Sequence, residues 1–219
     1  MPPVGRPPAA KARRTGRFGA LLFPGCDNRR VFELRNALVE DEAALERLIA
    51  ASARGLSVAY TDLQVAAAIG TAFGLDRTLI DDGTYFVAEA GCEIVGCGGW
   101  SRRATLFGGD RQPGRRSALL DPARDAARIR AFFVRPDWAR KGIGRAMLAR
   151  CEAEARGAGF TSAELVATVA GRELYGSLGY AADEPFEHRL AHDVAIQFIP
   201  MRKRLDGRHA GIAASPPAP

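Results

Sequence analysis

The chain has 219 residues, 47% of them apolar, and a formal net charge of +6, which suits one domain with tails and a sizeable core. No run approaches the roughly 18 apolar residues of a membrane span, and residues 20–23 (ALLF) are too short for a signal-peptide core. Residues 1–30 hold seven Lys or Arg against the single acid Asp27 and so carry the whole excess charge. The remainder is balanced and shows no basic stripe with interleaved aromatics, which argues against a nucleic-acid partner for the folded body.

Residues 1–30, rich in Pro, Arg, Gly and Ala without periodicity, read as a disordered basic tail, and residues 206–219 read as a second one. The domain is expected between them, over 31–205. It opens with the alternating strand VFELRNAL (31–38). A helix follows, with Leu45, Leu48 and Ile49 at helical spacing, acids in its first turn and Gly55 past its end. A second helix is expected over 62–72 from the recurrence of Leu63, Ala66, Ala67 and Ile69. Residues 81–103 read as two strands about a tight turn near Ala90–Cys92. Residues 102–124, punctuated by Gly108, Gly109, Pro113, Gly114 and Pro122, read as a long surface loop.

ARIRAFFVRP (127–136) is the most strand-like run, stopped by Pro136. A helix over about 142–157 has an apolar stripe of Ile143, Met147, Leu148, Cys151 and Ala155. TSAELVATV (161–169) is a strand, GRELYGSLGY (171–180) a short helix ending at Gly179, and DVAIQFIPMRKRL (193–205) a last strand. This order predicts an α/β fold, an α+β mixed sheet with helices on its faces.

The four cysteines, Cys26, Cys92, Cys97 and Cys151, form no C-x-x-C pair, and His188, His192 and His209 fall late. No metal site is expected. Dispersed cysteines fit reduced thiols and a cytoplasmic setting, and Cys97 and Cys151 fall on apolar patterns as core residues.

The segment RPDWARKGIGRAM (135–147) carries the strongest functional signal. A strand runs through a basic, Gly-containing turn straight into a helix. The start of a helix leaves backbone N–H groups unpaired at the positive end of the macrodipole, and glycine lets an anion approach them. The amides of Arg140, Lys141, Gly142, Ile143, Gly144 and Arg145 would point at a phosphate, and the Arg140, Lys141 and Arg145 side chains add charge. Neither a Walker loop nor a complete dinucleotide fingerprint is present. The alternative reading is that the glycines only make a tight strand-to-helix turn.

AFFVRPDWARKGIGRAML, followed some thirty residues later by ELYGSLGY, resembles the GNAT superfamily of acyl-CoA-dependent N-acetyltransferases. Val134, Pro136, Gly142 and Gly144 match the family's motif A, and Tyr175, Gly179 and Tyr180 match its motif B. Ala139 stands where the family prefers Gln or Arg. The resemblance implies a sheet whose fourth and fifth strands splay apart at a bulge to admit acetyl-CoA as cosubstrate. The pantetheine would pair with the backbone of Phe132, Phe133 and Val134, and the pyrophosphate would rest on residues 140–145.

It further implies direct attack by a primary amine, small-molecule or protein-borne, on the thioester, with Tyr175 as catalytic acid for the departing thiolate. An ammonium of pKa near 10 costs about 4 kcal/mol to deprotonate at pH 7, so a base is useful. Many relatives place a Glu where this chain has Arg128. Asp125, Glu173 and Glu33 are the remaining carboxylate candidates, each equally readable as a surface charge. Arg128 or Arg130 is a candidate cation for an acidic substrate group. Tyr60, Trp100 and Ser101 are the candidate acceptor-pocket residues, Trp100 being equally readable as core. Homodimers are common among such relatives. Two rival readings remain: a non-catalytic acyl-CoA-binding sensor on the same fold, and a nucleic-acid-associated protein acting through its basic tail.

Overall fold

In the computed structural model, residues 32–206 are described. The tail expected over 1–30, and all but the first residue of the tail expected from 206, lie outside the described residues. The elements in order are β1 (Glu33–Asn36), α1 (Glu42–Leu56), α2 (Asp62–Ala68), α3 (Arg77–Asp81), β2 (Tyr85–Ala90), β3 (Glu93–Ser101), β4 (Ala127–Val134), α4 (Ile143–Gly157), β5 (Ser162–Thr168), α5 (Arg172–Ser177), β6 (Ala181–Ala182), β7 (Phe186–Arg189) and β8 (Ala195–Arg204). The strands make one mixed sheet in the order β1-β2-β3-β4-β5-β8-β6, with β7 also paired to β8. The expected α/β class, a mixed sheet with helices on its faces, is observed.

Periodicity decides which residues go inside. α1 buries Leu45, Leu48, Ile49, Ser52 and Ala53, an apolar stripe at helical spacing. Thr61 and Gln64 form a reciprocal capping box at the start of α2. α2 ends earlier than its pattern suggests, because Ile69 turns out to bridge Phe73. It buries Val65 and Ala68 and leaves Leu63 exposed, so its inward face is not the one the spacing implied. In α4 the predicted stripe of Ile143, Met147, Leu148, Cys151 and Ala155 is buried as expected.

Two apolar layers cover the sheet. One gathers α1, α2 and α3 with Tyr85, Val87, Ile196 and Phe198. The other gathers α4 and α5 with Ile129, Leu165, Ala167 and Met201. Along β5 the side chains alternate between the layers, Leu165 and Ala167 facing one and Val166 the other.

The centre of the sheet is irregular. β3 and β4 pair antiparallel, with Cys97 opposite Phe133 and Gly99 opposite Arg130. Two steps on β3 therefore face three on β4. Ala131 takes a positive φ of 59°. This is a β-bulge, which bends the strand and re-aims its side chains. On its other side β4 pairs parallel with β5 only over Ala127–Ile129 against Ala163–Leu165.

Gly55 is inside α1, where the sequence placed it past the end. A Cβ there would overlap Cγ of Pro136, which follows β4. The glycine is a close-approach residue between helix and strand end, and it is not a cap. Gly55→Ala gains up to about 1 kcal/mol of helix propensity but overpacks a fixed ring, at a cost of about 1–3 kcal/mol. We expect a net loss of about 1 kcal/mol in urea unfolding. A stabilised variant would show that the α1–Pro136 contact is yielding.

Candidate active site

Where β4–β5 pairing stops, a cavity of about 680 Å³ opens. Its walls come from both layers of the sheet. On the α1 side lie Ser52, Ala53, Leu56, Phe73, Phe107 and Phe198. On the α4 side lie Ala139, Arg140 and residues 142–145 of the turn, with Leu174 and Tyr175. The bulged stretch of β4, from Arg130 to Val134, runs between them.

The turn before α4 is built from unusual backbone. Arg140 and Gly142 have φ of 62° and 85°, and a Cβ on Gly142 would meet no atom within 4 Å. Gly142 is therefore required by the left-handed backbone of the helix cap rather than by crowding. Ala146 N–H donates to the Gly142 carbonyl. From Arg140 through Arg145, however, no backbone N–H finds an acceptor among the described residues. These donors lie at the positive end of a 15-residue helix, an arrangement chemically suited to an anion.

The side chains around the turn divide. Arg140 and Arg145 are exposed and line the cavity, with Glu173 3.7 Å from Arg140. Lys141 does not line it. Its Nζ donates to the Asp137 carbonyl at 2.8 Å and lies 5.0 Å from the Trp138 ring centroid.

Tyr175 is buried in the same wall, its ring edge-on to Phe132 and Tyr180. Its hydroxyl makes no hydrogen bond among the described residues. Burial raises its pKa well above the usual phenol value, so the group is protonated at any working pH. Phe132, Phe133 and Val134 also line the cavity. The Val134 N–H already donates to Ser52 Oγ at 3.1 Å. Ser52 was not anticipated, although a serine on the apolar stripe of α1 was a visible anomaly.

The acceptor-pocket candidates are elsewhere. None of Tyr60, Trp100 and Ser101 lines the cavity. The Tyr60 hydroxyl ties two backbone segments together, donating to Gln197 O at 2.6 Å and accepting from Val169 N–H at 3.1 Å. Trp100 is buried against Phe160, and its Nε1 donates to Glu154. Ser101 is buried and accepts from Arg103 N–H. Alternation along β3 and the packing of α4 draw these groups into structure.

Of the carboxylate candidates only Glu173 reaches the cavity; Glu33 and Asp125 do not. Arg128 pairs with Glu164 directly across the β4–β5 register. Arg130 is buried and pairs with Asp76, while its Nη1 and Nη2 donate to the Thr105 and Gly108 carbonyls. Neither guanidinium is free for an acidic substrate group. Arg115 closes the cluster, donating to Asp76 at 2.7 Å.

Two arginines thus converge on one buried carboxylate and hold residues 105–115 against β4. Segment 102–124, expected as a surface loop, is in part an inner wall: Thr105 and Gln112 are buried, and Phe107 packs on Phe186, His188 and Phe198. Burial raises the Cys97 thiol pKa to about 12 and that of Cys151 well above normal, so neither is a ready nucleophile.

Residues 81–182 match the family model described as an acetyltransferase (GNAT) domain. The fold is that of the GNAT N-acetyltransferases. Solved structures share it across most of the chain. The GCN5-related N-acetyltransferase from Rhodopseudomonas palustris superposes with a TM-score of 0.60 at 19% identity, covering 82% of this chain and 99% of that one. PaiA N-acetyltransferase from Thermoplasma acidophilum, in complex with coenzyme A, gives 0.56 at 15%, with 79% and 98% covered. YncA from Salmonella typhimurium, with its cofactor acetyl-CoA, gives 0.54 at 19%, with 84% and 99% covered. No curated protein matches the sequence. In the GNAT fold of this chain, the described residues contain no group of three or more His, Cys, Asp or Glu placed to hold a metal ion, and no helix long and apolar enough to cross a membrane.

The Asp76 cluster gives a direct test of how the domain holds its inner loop. Asp76→Ala strands the buried Arg130 guanidinium and takes one partner from the half-buried Arg115, and losing one partner of a buried pair costs about 3–5 kcal/mol. We expect a loss of that size in urea unfolding, with faster amide exchange across residues 105–115. A loss below about 1 kcal/mol would mean that the cluster does not anchor the loop.

Proposed function

We propose that the protein transfers an acetyl group from acetyl-CoA to an amine. The observation that carries this reading is the run of unpaired amides from Arg140 to Arg145, opening onto a cavity at the end of β4–β5 pairing. An anion with a long neutral arm matches it. The amides and the Arg140 and Arg145 side chains hold the pyrophosphate. The arm follows the β4 backbone through the gap, which we read as the splay between the fourth and fifth strands. Unpaired strand edges bind extended amides in this way. Coenzyme A in the PaiA structure and acetyl-CoA in the YncA structure agree with this choice of ligand.

Acetyl-CoA supplies an activated thioester. The chain's part is to orient it and to manage protons. The amine nitrogen attacks the carbonyl carbon, a C–N bond forms and the C–S bond breaks. The sulfur takes a proton from Tyr175, and the proton released by the nitrogen returns to Tyr175 through solvent. Burial keeps the Tyr175 hydroxyl protonated, as a donor must be. Arg128 is engaged with Glu164 and presents no carboxylate at that strand position, so the ammonium loses its proton to solvent before the neutral amine attacks.

Two variants test the halves of this reading. Asn and Asp both tolerate left-handed backbone, so Gly142→Asn isolates the conformational cost and Gly142→Asp adds a charge facing the pyrophosphate. Isothermal titration with CoA should show at least about tenfold weaker binding for Gly142→Asp, equivalent to about 1.4 kcal/mol, with Gly142→Asn within a few-fold of wild type. Equal affinities for all three would remove the cradle from the account. Tyr175→Phe should lower kcat by about 10²-fold or more while CoA affinity holds. An unchanged kcat would reduce Tyr175 to a packing residue.

A further inference from the structure

The cavity has two unlike faces. Cationic side chains and unpaired amides line the α4 face. The face formed by α1, residues 72–74, the 102–124 segment and β8 is aromatic: Phe73, Phe107 and Phe198 meet there, with ring centroids 6.2 Å apart for Phe73–Phe198 and 5.3 Å for Phe107–Phe198. Phe133 joins edge-on at 6.3 Å from Phe73.

The ionisable side chain on this face, and the carbonyls that anchor its inner loop and the β4 bulge, are already engaged. Arg130 is the ionisable side chain lining it, and Asp76 neutralises it. The Gly108 carbonyl accepts from both Arg115 and Arg130 at 3.1 Å, the Thr105 carbonyl from Arg130, and the Ala131 carbonyl from the Tyr85 hydroxyl at 3.2 Å. The cavity's carboxylate, Glu173, is on the opposite face, beside Arg140. Behind Phe107, His188 stacks edge-on at 5.0 Å, and burial lowers its pKa, so it contributes no charge at pH 7.

From this we infer that the acceptor is a monoamine with an apolar body, aromatic or branched aliphatic, and without a second charge. The inference rests on the acetyl-transfer reading, since it takes the α4 face to be filled by acetyl-CoA. A polyamine or a lysine side chain in a charged peptide would bring further ammonium or carboxylate groups against the phenylalanine wall. Burying an uncompensated charge there is unfavourable, whereas an apolar body gains about 25 cal/mol for each Å² it buries. Discrimination therefore follows from desolvation, without a dedicated polar contact.

The test is isothermal titration of the full chain saturated with CoA. The probes are 2-phenylethylamine, 4-ethylaniline and cyclohexylamine, with spermidine and a lysine-containing charged tetrapeptide as comparators. At least one apolar monoamine should bind ten times or more tightly than either comparator. Phe107→Glu, with Phe107→Gln as the milder variant, should weaken that binding by tenfold or more while CoA still binds. Binding of spermidine or the tetrapeptide equal to or tighter than the monoamines overturns the inference. So does a CoA-saturated protein that binds no monoamine, or a Phe107 pair that binds them as wild type does. A wild type that binds no CoA is recognised at the loading step, and it overturns the underlying acetyl-transfer reading and this inference together.

Discussion

Between Arg130 and Phe133, β4 uses three residue steps to cover what β3 covers in two, from Gly99 to Cys97. The surplus residue forces Ala131 into a positive φ, a conformation that costs a non-glycine residue energy unless its surroundings hold it there. Here Tyr85 supplies the restraint. Its fully buried hydroxyl lies 3.2 Å from both the Ala131 carbonyl and the Cys97 sulfur. β4–β5 pairing has ended one residue before, at Ile129. Beyond Ile129 the pairing of β4 continues on its β3 side, and the cavity begins there.

What surrounds the opening is held by unlike means. On the α4 face the backbone itself does the work: a left-handed turn hands its free amides to the cavity mouth, and Gly142 makes the turn affordable. On the opposite face an irregular segment must be kept in place without secondary structure. Arg130 and Arg115 do this through their shared partner Asp76. A buried ion cluster is a poor source of net stability but a good specifier of one geometry. Its use here, under a loop that lines the cavity, fits a requirement for position more than for strength.

This division explains what the sequence made legible. The stripes of α1 and α4, the β2–β3 turn and the strand–turn–helix at 127–157 are local patterns with fixed periods, and they emerged as expected. The turn's role in the cavity follows from the same local signal. The opposite face was illegible because it is assembled from distant, aperiodic pieces. Phe73, Phe107 and Phe198 meet only after the fold forms, and nothing in segment 102–124 announces that Arg115 will find Asp76. Tyr60, Trp100 and Ser101 drew attention as aromatic or polar residues near variable loops. Register decided otherwise: it points Trp100 at α4 and spends the Tyr60 hydroxyl on Gln197 and Val169. Gly55 looked like a helix stop because spacing cannot show that Pro136 will pack on it.

The placement of Arg128 follows the same logic. Position 128 lies where β4 and β5 still pair, directly opposite Glu164, and a carboxylate there would face another carboxylate across the register. Cross-strand like charges destabilise a sheet, while opposite charges support it. Arg128 thus stabilises the last paired rungs before the opening, a place where pairing matters more than elsewhere because nothing beyond it holds the strands together. The consequence reaches the chemistry. With Arg128 held in that pair and away from the cavity lining, the cavity keeps one face of cationic side chains and free amides and one face of phenylalanine rings.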